Sequence, residues 1–540
     1  MLRRRHLGRV SFAEANDFQH ALLESRDGYV LLMEHPPTYT RGVRAQESSF
    51  LMAPESLAAD VVDADRGGDV TYHGPGQVVA WAVLDVGEDP SAGRRHVGRL
   101  EDAVIETLRS LDPDGRLGEV GRLEGYPGVW ARLESTPAKV AAVGVRTERN
   151  SAGVRRSLHG VALNVVVDLD AFKAIVPCGI PDKPVASLAS LGLAVSADTV
   201  EERLGVALEA HLGGTGEHVA RVDRGAAPET GERPLIRRLR KAGVDPDAAL
   251  SINARKPEWL RIPAHMGTQF QSLRTLTEDL RLVTVCEEAG CPNIFECWQA
   301  GTATFMVNGE RCTRACGFCL IDTRKPLALD PTEPERVAEA VVRLGLHHAV
   351  VTCVARDDLA DGGAGAIAET IRAIRRRSPE TMVEVLTSDL RGDRWSLQLI
   401  IDARPDVLNH NIETVARLQR AVRPSAGYLR SLTVLARARA EGLTTKSGLM
   451  VGLGETLDEV DETLADLAGV GVSIATIGQY LRPSAQHLPV ARWWSPHEFD
   501  ELAARGEAHG LSHVQSSPLT RSSYHAREAL ESTPVGLSRR

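Results

Sequence analysis

Six of the eight cysteines crowd into one stretch, at Cys286, Cys291, Cys297, Cys312, Cys316 and Cys319, while Cys178 and Cys353 stand outside it. Disulfide frameworks of that density belong to small secreted domains, whereas this chain runs to 540 residues. Clustered thiols in a reducing compartment suggest metal ligands. The later group, Cys312-Thr-Arg-Ala-Cys316-Gly-Phe-Cys319, has the spacing C-x3-C-x2-C. Three thiolates on one tight loop can hold three corners of a [4Fe-4S] cube and leave the fourth iron open to a chelating small molecule. A zinc site is the plainer alternative, but closed zinc sites want four ligands, usually from two paired C-x2-C turns.

Beyond the cysteines the chain alternates regularly. Thr332 stands at capping-box spacing from Glu335, and Val337, Ala340, Val341 and Leu344 supply the apolar face of a helix. The run His348 to Thr352 reads as a buried strand, Ala364 to Arg377 as a helix, Met382 to Leu386 as a strand and Trp395 to Ala403 as a helix. Strands at Val407 to Asn409, Thr444 to Val451 and Ile474 to Ile477, with a helix from Thr456 to Ala468, continue the series. Strands alternating with helices imply parallel pairing and right-handed crossovers, so a full or partial β/α barrel of the TIM type is expected.

A chain this long holds two or three cores. Its 43% hydrophobic and 25% charged residues are those of a soluble globular protein. No apolar run approaches the ~18 residues that cross a bilayer. The net charge of -9 argues against a dedicated nucleic-acid binder. Met1 to Arg5 is Arg-rich, but no apolar segment succeeds it, so the start reads as a frayed basic end of a cytoplasmic protein. Between Arg221 and Pro246, charges and Gly/Pro residues replace apolar periodicity, which predicts a linker. Ahead of it, short apolar runs (Tyr29 to Met33, Val78 to Val86, Ala138 to Val145, Val161 to Val167) mix with helical stretches such as Glu101 to Leu111, the pattern of an α/β domain.

The cysteine loop at 312–319 resembles that of the radical S-adenosylmethionine (SAM) enzymes, in which the open iron binds the methionyl amine and carboxylate. By that resemblance Phe318 lies near the adenine, and Asp361, Gly362 and Gly363 hold the methionyl amino group. A second triad would be superfluous for generating a radical, so Cys286, Cys291 and Cys297 are expected to carry an auxiliary [4Fe-4S] cluster. Here the resemblance narrows to lipoyl synthases. It rests on Thr284-Val-Cys-Glu-Glu-Ala-Gly-Cys-Pro-Asn-Ile-Phe-Glu-Cys-Trp298, Ala355-Arg-Asp-Asp-Leu359, Asn409-His-Asn-Ile-Glu-Thr414, Gly452-Leu-Gly-Glu-Thr456, Tyr480-Leu-Arg-Pro-Ser484 and Arg521-Ser-Ser-Tyr524. The last of these implies a serine ligand on the auxiliary cluster, assigned to Ser522 with Ser523 as the alternative. In the family that cluster supplies sulfur to carbons 6 and 8 of an octanoyl chain after a 5'-deoxyadenosyl radical has removed hydrogen. A harder oxygen ligand makes a labile corner, which suits a cluster that is dismantled. Cys353, in an apolar strand, reads as a small buried hydrophobe. His347, His348 and His410 are open between packing and site roles.

In the first half, Arg66-Gly-Gly-Asp-Val-Thr-Tyr-His-Gly-Pro-Gly-Gln77 is a Gly-rich loop without the Lys-Ser or Lys-Thr of a P-loop. Lys139 opens a strand, and Cys178 sits in Val176-Pro-Cys-Gly-Ile180; a cation beside a thiol favours the thiolate. With Glu34-His-Pro-Pro-Thr-Tyr39 and His159-Gly-Val-Ala-Leu-Asn164, these segments resemble the lipoyl (octanoyl) transferases, related in fold to lipoate and biotin protein ligases. The resemblance implies Cys178 as nucleophile, Lys139 as its proton-transfer partner, and Arg66, Gly67, Gly68, His73, Gly74, His159 and Gly160 around the substrate. The stretch between Val145 and His159 is more polar and longer than that family's connection. Its arginines, with Arg94 and Arg95, form a candidate patch for an acidic acyl carrier protein.

The expected organisation is a transferase domain at 1–220, a linker at 221–248 and a synthase domain at 249–540. The expected reaction moves octanoate from acyl carrier protein to a lysine of a lipoyl domain, then inserts two sulfur atoms. Expected partners are octanoyl acyl carrier protein, lipoyl domains of 2-oxoacid dehydrogenase E2 subunits, glycine-cleavage H protein and an electron donor, with no nucleic acid and no membrane. Two other readings are an ATP-dependent lipoate ligase in the first half and a non-catalytic iron–sulfur sensor in the second.

Overall fold

The computed structural model describes residues 1–133, 136–221, 233–261, 268–285, 293–294 and 304–523, and the chain divides into two compact units, Met1–Arg224 and Gly225–Arg540. Among these residues no helix is long and apolar enough to cross a membrane.

The first unit contains β1 (Leu2–Arg9), β2 (Gly28–Glu34), β3 (Thr38–Arg41), β4 (Asp60–Asp63), β5 (Thr71–His73), β6 (Gln77–Val83), β7 (Glu119–Leu123), β8 (Tyr126–Leu133), β9 (Thr136–Arg149), β10 (Arg155–Asn164) and β11 (Val219–Arg221). Eight of them form one mixed sheet in the order β11-β1-β2-β6-β10-β9-β8-β7, and β4-β3-β5 form a small second sheet. Helices Ala92–Leu111 and Ala197–Leu212 pack together against the large sheet and close its core through Leu100, Val104, Leu108, Val200 and Leu204. The second of these helices starts where Ser196 Oγ accepts the Thr199 N–H at 3.1 Å and stops at Gly213, whose φ of 92° ends the right-handed spiral.

Two expectations change here. The Arg-rich start does not fray but forms β1, between β2 and β11. Arg3 Nε lies 2.6 Å from Asp27 Oδ2, Arg4 Nη2 lies 3.2 Å from Glu202 Oε1, and the Arg5 guanidinium lies over the Tyr29 ring. These partners come from distant parts of the chain and offset the cost of burying charge, so local hydropathy could not register the strand. The polar stretch after Val145 is likewise not a loose connection. Arg155 pairs with Arg149 and Leu158 with Arg146, so β9 and β10 run on as a hairpin that turns at Asn150–Val154.

The second unit contains β12 (Val283–Thr284), β13 (Thr304–Val307), β14 (His348–Cys353), β15 (Met382–Leu386), β16 (Val407–Asn409), β17 (Thr444–Val451), β18 (Ile474–Gln479) and β19 (His513–Ser516). They lie in sequential order; β13 to β19 are all parallel, and β12 is antiparallel to β13. Helices Glu333–Leu344, Ala364–Arg377, Arg394–Asp402, Tyr428–Ala440, Leu457–Gly469 and Pro496–His509 make the crossovers. The sheet is thus an open, partial β/α barrel. Inside it, Glu384 of β15 and Lys446 of β17 are fully buried with Oε1 and Nζ 3.1 Å apart. Asn409 Nδ2 donates to the same carboxylate at 2.9 Å.

Thr332 does cap the first crossover helix by position, but the expected capping box is absent: its hydroxyl donates to Asp330 Oδ1 at 2.7 Å instead. Capping boxes form at Thr456/Glu459 and Ser495/Glu498. Part of the stretch expected to be linker is helical at Pro234–Lys241 and belongs to the second unit, with Leu239 fully buried and Leu250 N–H bonded to Val490 O at 2.8 Å. Its apolar residues, spaced Leu235, Ile236 and Leu239, are too few for a periodicity to stand out among four cations.

Candidate active sites

In the first unit the Gly-rich loop crosses the sheet at β9. Glycine is required at Gly67, where a Cβ would lie 2.9 Å from Val145 O. The loop, β9, β10 and the start of helix Ala92–Leu111 enclose a cavity of about 500 Å³. Cys178 and Lys139 both line it. Cys178 occupies the turn Pro177–Gly179 at a φ of 56°, held by its N–H to Val70 O at 2.9 Å, and its thiol is free and half-buried. A non-glycine residue in that left-handed region is strained, and such strain clusters at functional sites. Lys139 is buried on β9 with Nζ 4.9 Å from the centre of the Trp130 ring, a cation–π geometry.

Arg66 adds a second cation. Its Nε and Nη2 donate to Thr40 Oγ1 at 3.1 and 2.7 Å, fixing the guanidinium under the loop. Burial pulls it down to about 10, opposed by the negative charge that Cys178 and Asp69 carry when ionised. Arg66 is therefore protonated at neutral pH.

The two expected histidines both reach the cavity wall. His73 Nδ1 donates to Gln77 Oε1 at 2.7 Å, which leaves its buried Nε2 as an unpartnered acceptor. Burial holds His73 well below its ordinary value, so it is neutral. His159 Nε2 donates to Asp65 Oδ1 at 2.7 Å, while Gln19 Nε2 donates to its Nδ1 at 3.3 Å and Gln19 Oε1 accepts its backbone N–H at 2.8 Å. Burial lowers His159 as well, against the opposing pull of Asp65. Phe12 and Trp81 flank the His159 ring with centroids 6.2 and 4.9 Å away. Gly160 lines the cavity with Arg66, Gly67 and Gly68; Gly74 does not, but packs against the Tyr72 ring. Asp65, Gln19 and Trp130 were not legible as site residues, because each is defined by a partner far along the chain or across a strand pair.

In the second unit the cysteine loop leaves the C-terminal end of β13, the face on which barrel enzymes build their sites. Cys312, Cys316 and Cys319 are free and half-buried. The loop is anchored from four directions. Arg314 donates to both Asp357 oxygens at 2.7 and 2.8 Å and pairs with Asp389 at 2.6 Å. Thr313 N–H donates to Ala355 O at 3.0 Å. His487 donates from Nε2 to Cys319 O at 2.9 Å, its Nδ1 accepting from Ser484 Oγ at 2.8 Å. Gly317 donates its N–H to Val422 O at 2.8 Å and accepts from Leu488 N–H at 2.9 Å; a Cβ there would lie 2.6 Å from Leu235 Cδ1. Burial raises Cys316 to about 11 and Cys319 to about 12 as free thiols. A bound cluster would reverse that, since coordination deprotonates thiols outright. The donor set, three soft thiols on one rigid loop with the Arg314 N–H 3.4 Å from Cys312 Sγ, suits an iron–sulfur cluster.

Phe318 is half-buried on this loop. Asp361 accepts the N–H groups of Gly363 and Gly365 at 2.9 and 2.8 Å and so caps helix Ala364–Arg377, with Gly362 and Gly363 in the left-handed region. Asn308, at the end of β13, donates to Gly363 O at 3.3 Å, tying this turn to the cysteine loop's origin. Cys353 is half-buried and packs against the core. His410 is buried, bonded to Thr387 O and Ser431 Oγ; His348 is buried in the barrel; His347 is exposed.

Cys286, Cys291 and Cys297 lie outside the described residues. Asn293, between them in sequence, donates from Nδ2 to Leu519 O at 2.7 Å. Leu519 is part of the segment after β19 that bonds to β18 through Gln479 N–H and Pro518 O and leads to half-buried Ser522. Asn293 is thereby tied to the segment that leads to Ser522.

Residues 11–209 match the family of the Lipoyl protein ligase A/B catalytic domain, and residues 306–467 match the Radical SAM superfamily. The lipoyl synthase of Symbiobacterium thermophilum is 54% identical over 287 residues, which span 53% of this chain and 90% of that protein. The lipoyl synthase of Mycobacterium avium is 55% identical over 272 residues, 50% of this chain and 89% of that protein. A solved lipoate protein ligase structure from Thermoplasma acidophilum superposes with a TM-score of 0.32 at 18% identity, over 41% of this chain and 87% of that one. The chain belongs to the lipoyl synthase family in its second unit, a radical-SAM domain, and carries ahead of it a catalytic domain of the lipoyl protein ligase type.

Proposed function

We propose that the two units perform consecutive steps of lipoyl cofactor assembly: transfer of an octanoyl group from acyl carrier protein to a lysine of a lipoyl-domain protein, then insertion of sulfur at carbons 6 and 8. The observation that carries the first step is that Cys178, Lys139 and Arg66 line one cavity. The Cys178 thiolate attacks the donor thioester and the donor thiol leaves. The acceptor lysine amine then attacks the resulting Cys178 thioester, and the thiolate departs. Lys139 carries the protons that each exchange requires. Neutral His73 presents an acceptor that suits the amine N–H of the incoming lysine. An ATP-dependent ligase has no need of a nucleophilic cysteine, which favours transfer over ligation.

For the second step, Cys312, Cys316 and Cys319 would hold one [4Fe-4S] cluster, with SAM on its open iron near Phe318, Asp361, Gly362 and Gly363. Cys286, Cys291, Cys297 and Ser522 would hold the auxiliary cluster. Bound there, these groups supply a radical able to take hydrogen from unactivated carbon, and the sulfur that replaces it. This chain's own residues keep the cysteine loop rigid through Arg314, Asp357, Asp389 and His487. The reaction needs an electron donor, and lipoyl domains of 2-oxoacid dehydrogenase E2 subunits and glycine-cleavage H protein are the proposed acceptors.

The test is the intact mass of an apo lipoyl domain incubated anaerobically with cluster-reconstituted protein, octanoyl acyl carrier protein, SAM and a reductant. An octanoyl adduct that converts to a lipoyl adduct is the expected result. An octanoyl adduct that never gains sulfur removes the second step. No adduct, or an adduct that needs only free octanoate and ATP, removes the first.

A further inference from the structure

Five cations and one carboxylate, Asp69, line the cavity of the first unit. Most of the basic groups around it are committed. Arg146 pairs with Asp65 at 3.3 Å and Glu148 at 3.2 Å, Arg66 is held by Thr40, and Lys139 sits over Trp130. Of the patch expected from the sequence, Arg95 pairs with Asp89, Arg149 with Glu88, and Arg155 with Asp89 O, while Arg156 is buried against backbone carbonyls. Two lining guanidinium groups remain, Arg44 and Arg94, both exposed and, among the described residues, with no carboxylate or carbonyl bonded to either. They flank the same stretch of β9. Arg44 N–H bonds to Gly68 O at 3.0 Å beside Gly67, which rests on Val145; Gly93, next to Arg94, faces Thr147 two residues further along.

Inside the cavity the walls are Val79, Trp81, Ala142, Val161 and Ala162, with the nucleophile Cys178. Such a site takes a bipolar ligand, apolar where it enters and anionic where it leaves. A guanidinium fork matches phosphate oxygens in geometry and charge better than it matches any neutral group. On the transfer reading, on which this inference rests, the donor acyl group hangs on a phosphopantetheine arm. We propose that Arg44 and Arg94 form a phosphate subsite at the cavity mouth that grips this arm of the acyl carrier and sets the donor thioester against Cys178.

The test uses the full-length protein and measures formation of the Cys178 thioester by intact mass in single turnovers. The donors are octanoyl phosphopantetheine and octanoyl pantetheine, which differ only in the phosphate. The readout is the ratio of the two kcat/KM values, which a general loss of activity does not move. In the parent protein the ratio favours the phosphorylated donor. Arg44→Gln and Arg94→Gln each lower it about 10-fold through KM, the size of one charge-assisted contact. Salt lowers it in the parent protein more than in the double variant. A ratio near one in the parent protein, or one that both variants leave unchanged, overturns the subsite. If the variants instead abolish loading from free octanoate and ATP while the ratio stands, the arginines serve an acyl adenylate, which also overturns it. Failure of every thioester donor to load Cys178 is a different result: it removes the transfer reading itself.

Discussion

Replacing Lys446 by Met tests whether the barrel interior depends on one buried ion pair. Lys446 and Glu384 are 0% and 1% exposed in their side chains. Burial alone would raise the Glu384 carboxyl, but the Lys446 charge, with His348 nearby and a hydrogen bond from Asn409, holds it at about 2, against an ordinary 4.5. In the parent protein that depressed value contributes stability that is complete above pH 4.5 and is lost as pH falls toward about 2. The difference is worth about 3 kcal/mol. Met fills the volume of the lysine stem but leaves the carboxylate without its cation. The carboxylate then escapes by taking up a proton, so its folded value moves above 4.5 and the penalty grows with pH instead. Removing one partner of a buried pair costs about 3–5 kcal/mol at pH 7, and at ~1.4 kcal/mol per unit the loss is smaller at pH 5.5 by up to about 2 kcal/mol. The assay is hydrogen exchange by mass spectrometry on peptides covering β15 and β17, which reports this unit separately from the first. Adding Glu384→Gln should remove the pH slope and recover at least ~2 kcal/mol, because a neutral amide needs no cation. A loss at pH 7 below ~1 kcal/mol, a loss independent of pH, or no recovery in the double variant would refute the argument.

The same geometry sets three more outcomes. Cys178→Ser should yield no thioester adduct by intact mass with any octanoyl donor, while the thermal midpoint of the first unit stays within experimental error; adducts of undiminished yield would move the nucleophile elsewhere. Arg314→Lys should keep charge but lose the fork that grips Asp357, so iron bound per chain after reconstitution falls at least twofold and the far-ultraviolet spectrum is unchanged; full iron content would show that the loop does not need this anchor. Gly160→Ala directs a methyl at Ala80 O across the β6–β10 pair and should cost about 1–3 kcal/mol in urea unfolding of the first unit; an unchanged midpoint would mean the strands separate freely.

In the first unit the sequence showed which chemistry to look for better than it showed where the chain goes. Cys178, Lys139 and the Gly-rich loop are local signals, a thiol, a cation and a flexible approach, and all meet at one cavity. What stayed hidden was set by distant partners. The residues Arg3 to Arg5 look like a solvated end until Asp27, Glu202 and the Tyr29 ring are placed beside them. The arginines at 146–156 look like a docking patch until the hairpin brings Glu88, Asp89 and Asp65 against them. Surface charge in a sequence is a list of candidates, and folding decides which remain uncommitted; here that elimination moves attention from Arg95 to Arg44.

The second unit was more legible because its signals are periodic. Helix Ala364–Arg377 and strands β14 to β18 announce themselves through short apolar strands and amphipathic crossovers, each readable within about a dozen residues. Even there, the residues that make the cysteine loop rigid were unreadable. His487 acts through a backbone carbonyl, Leu235 through the space that Gly317 vacates, and Asp389 through a guanidinium more than seventy residues upstream. Motif strings such as Tyr480-Leu-Arg-Pro-Ser484 mark the place without giving the reason, which is that Ser484 orients His487 and Arg482 gathers the carbonyls of Ser484 and His487. Ligands can be read from spacing because a cluster demands it. The supports that hold ligands at that spacing answer only to three-dimensional packing, so a substitution at Leu235 or His487 would disturb the cluster loop with no motif residue altered.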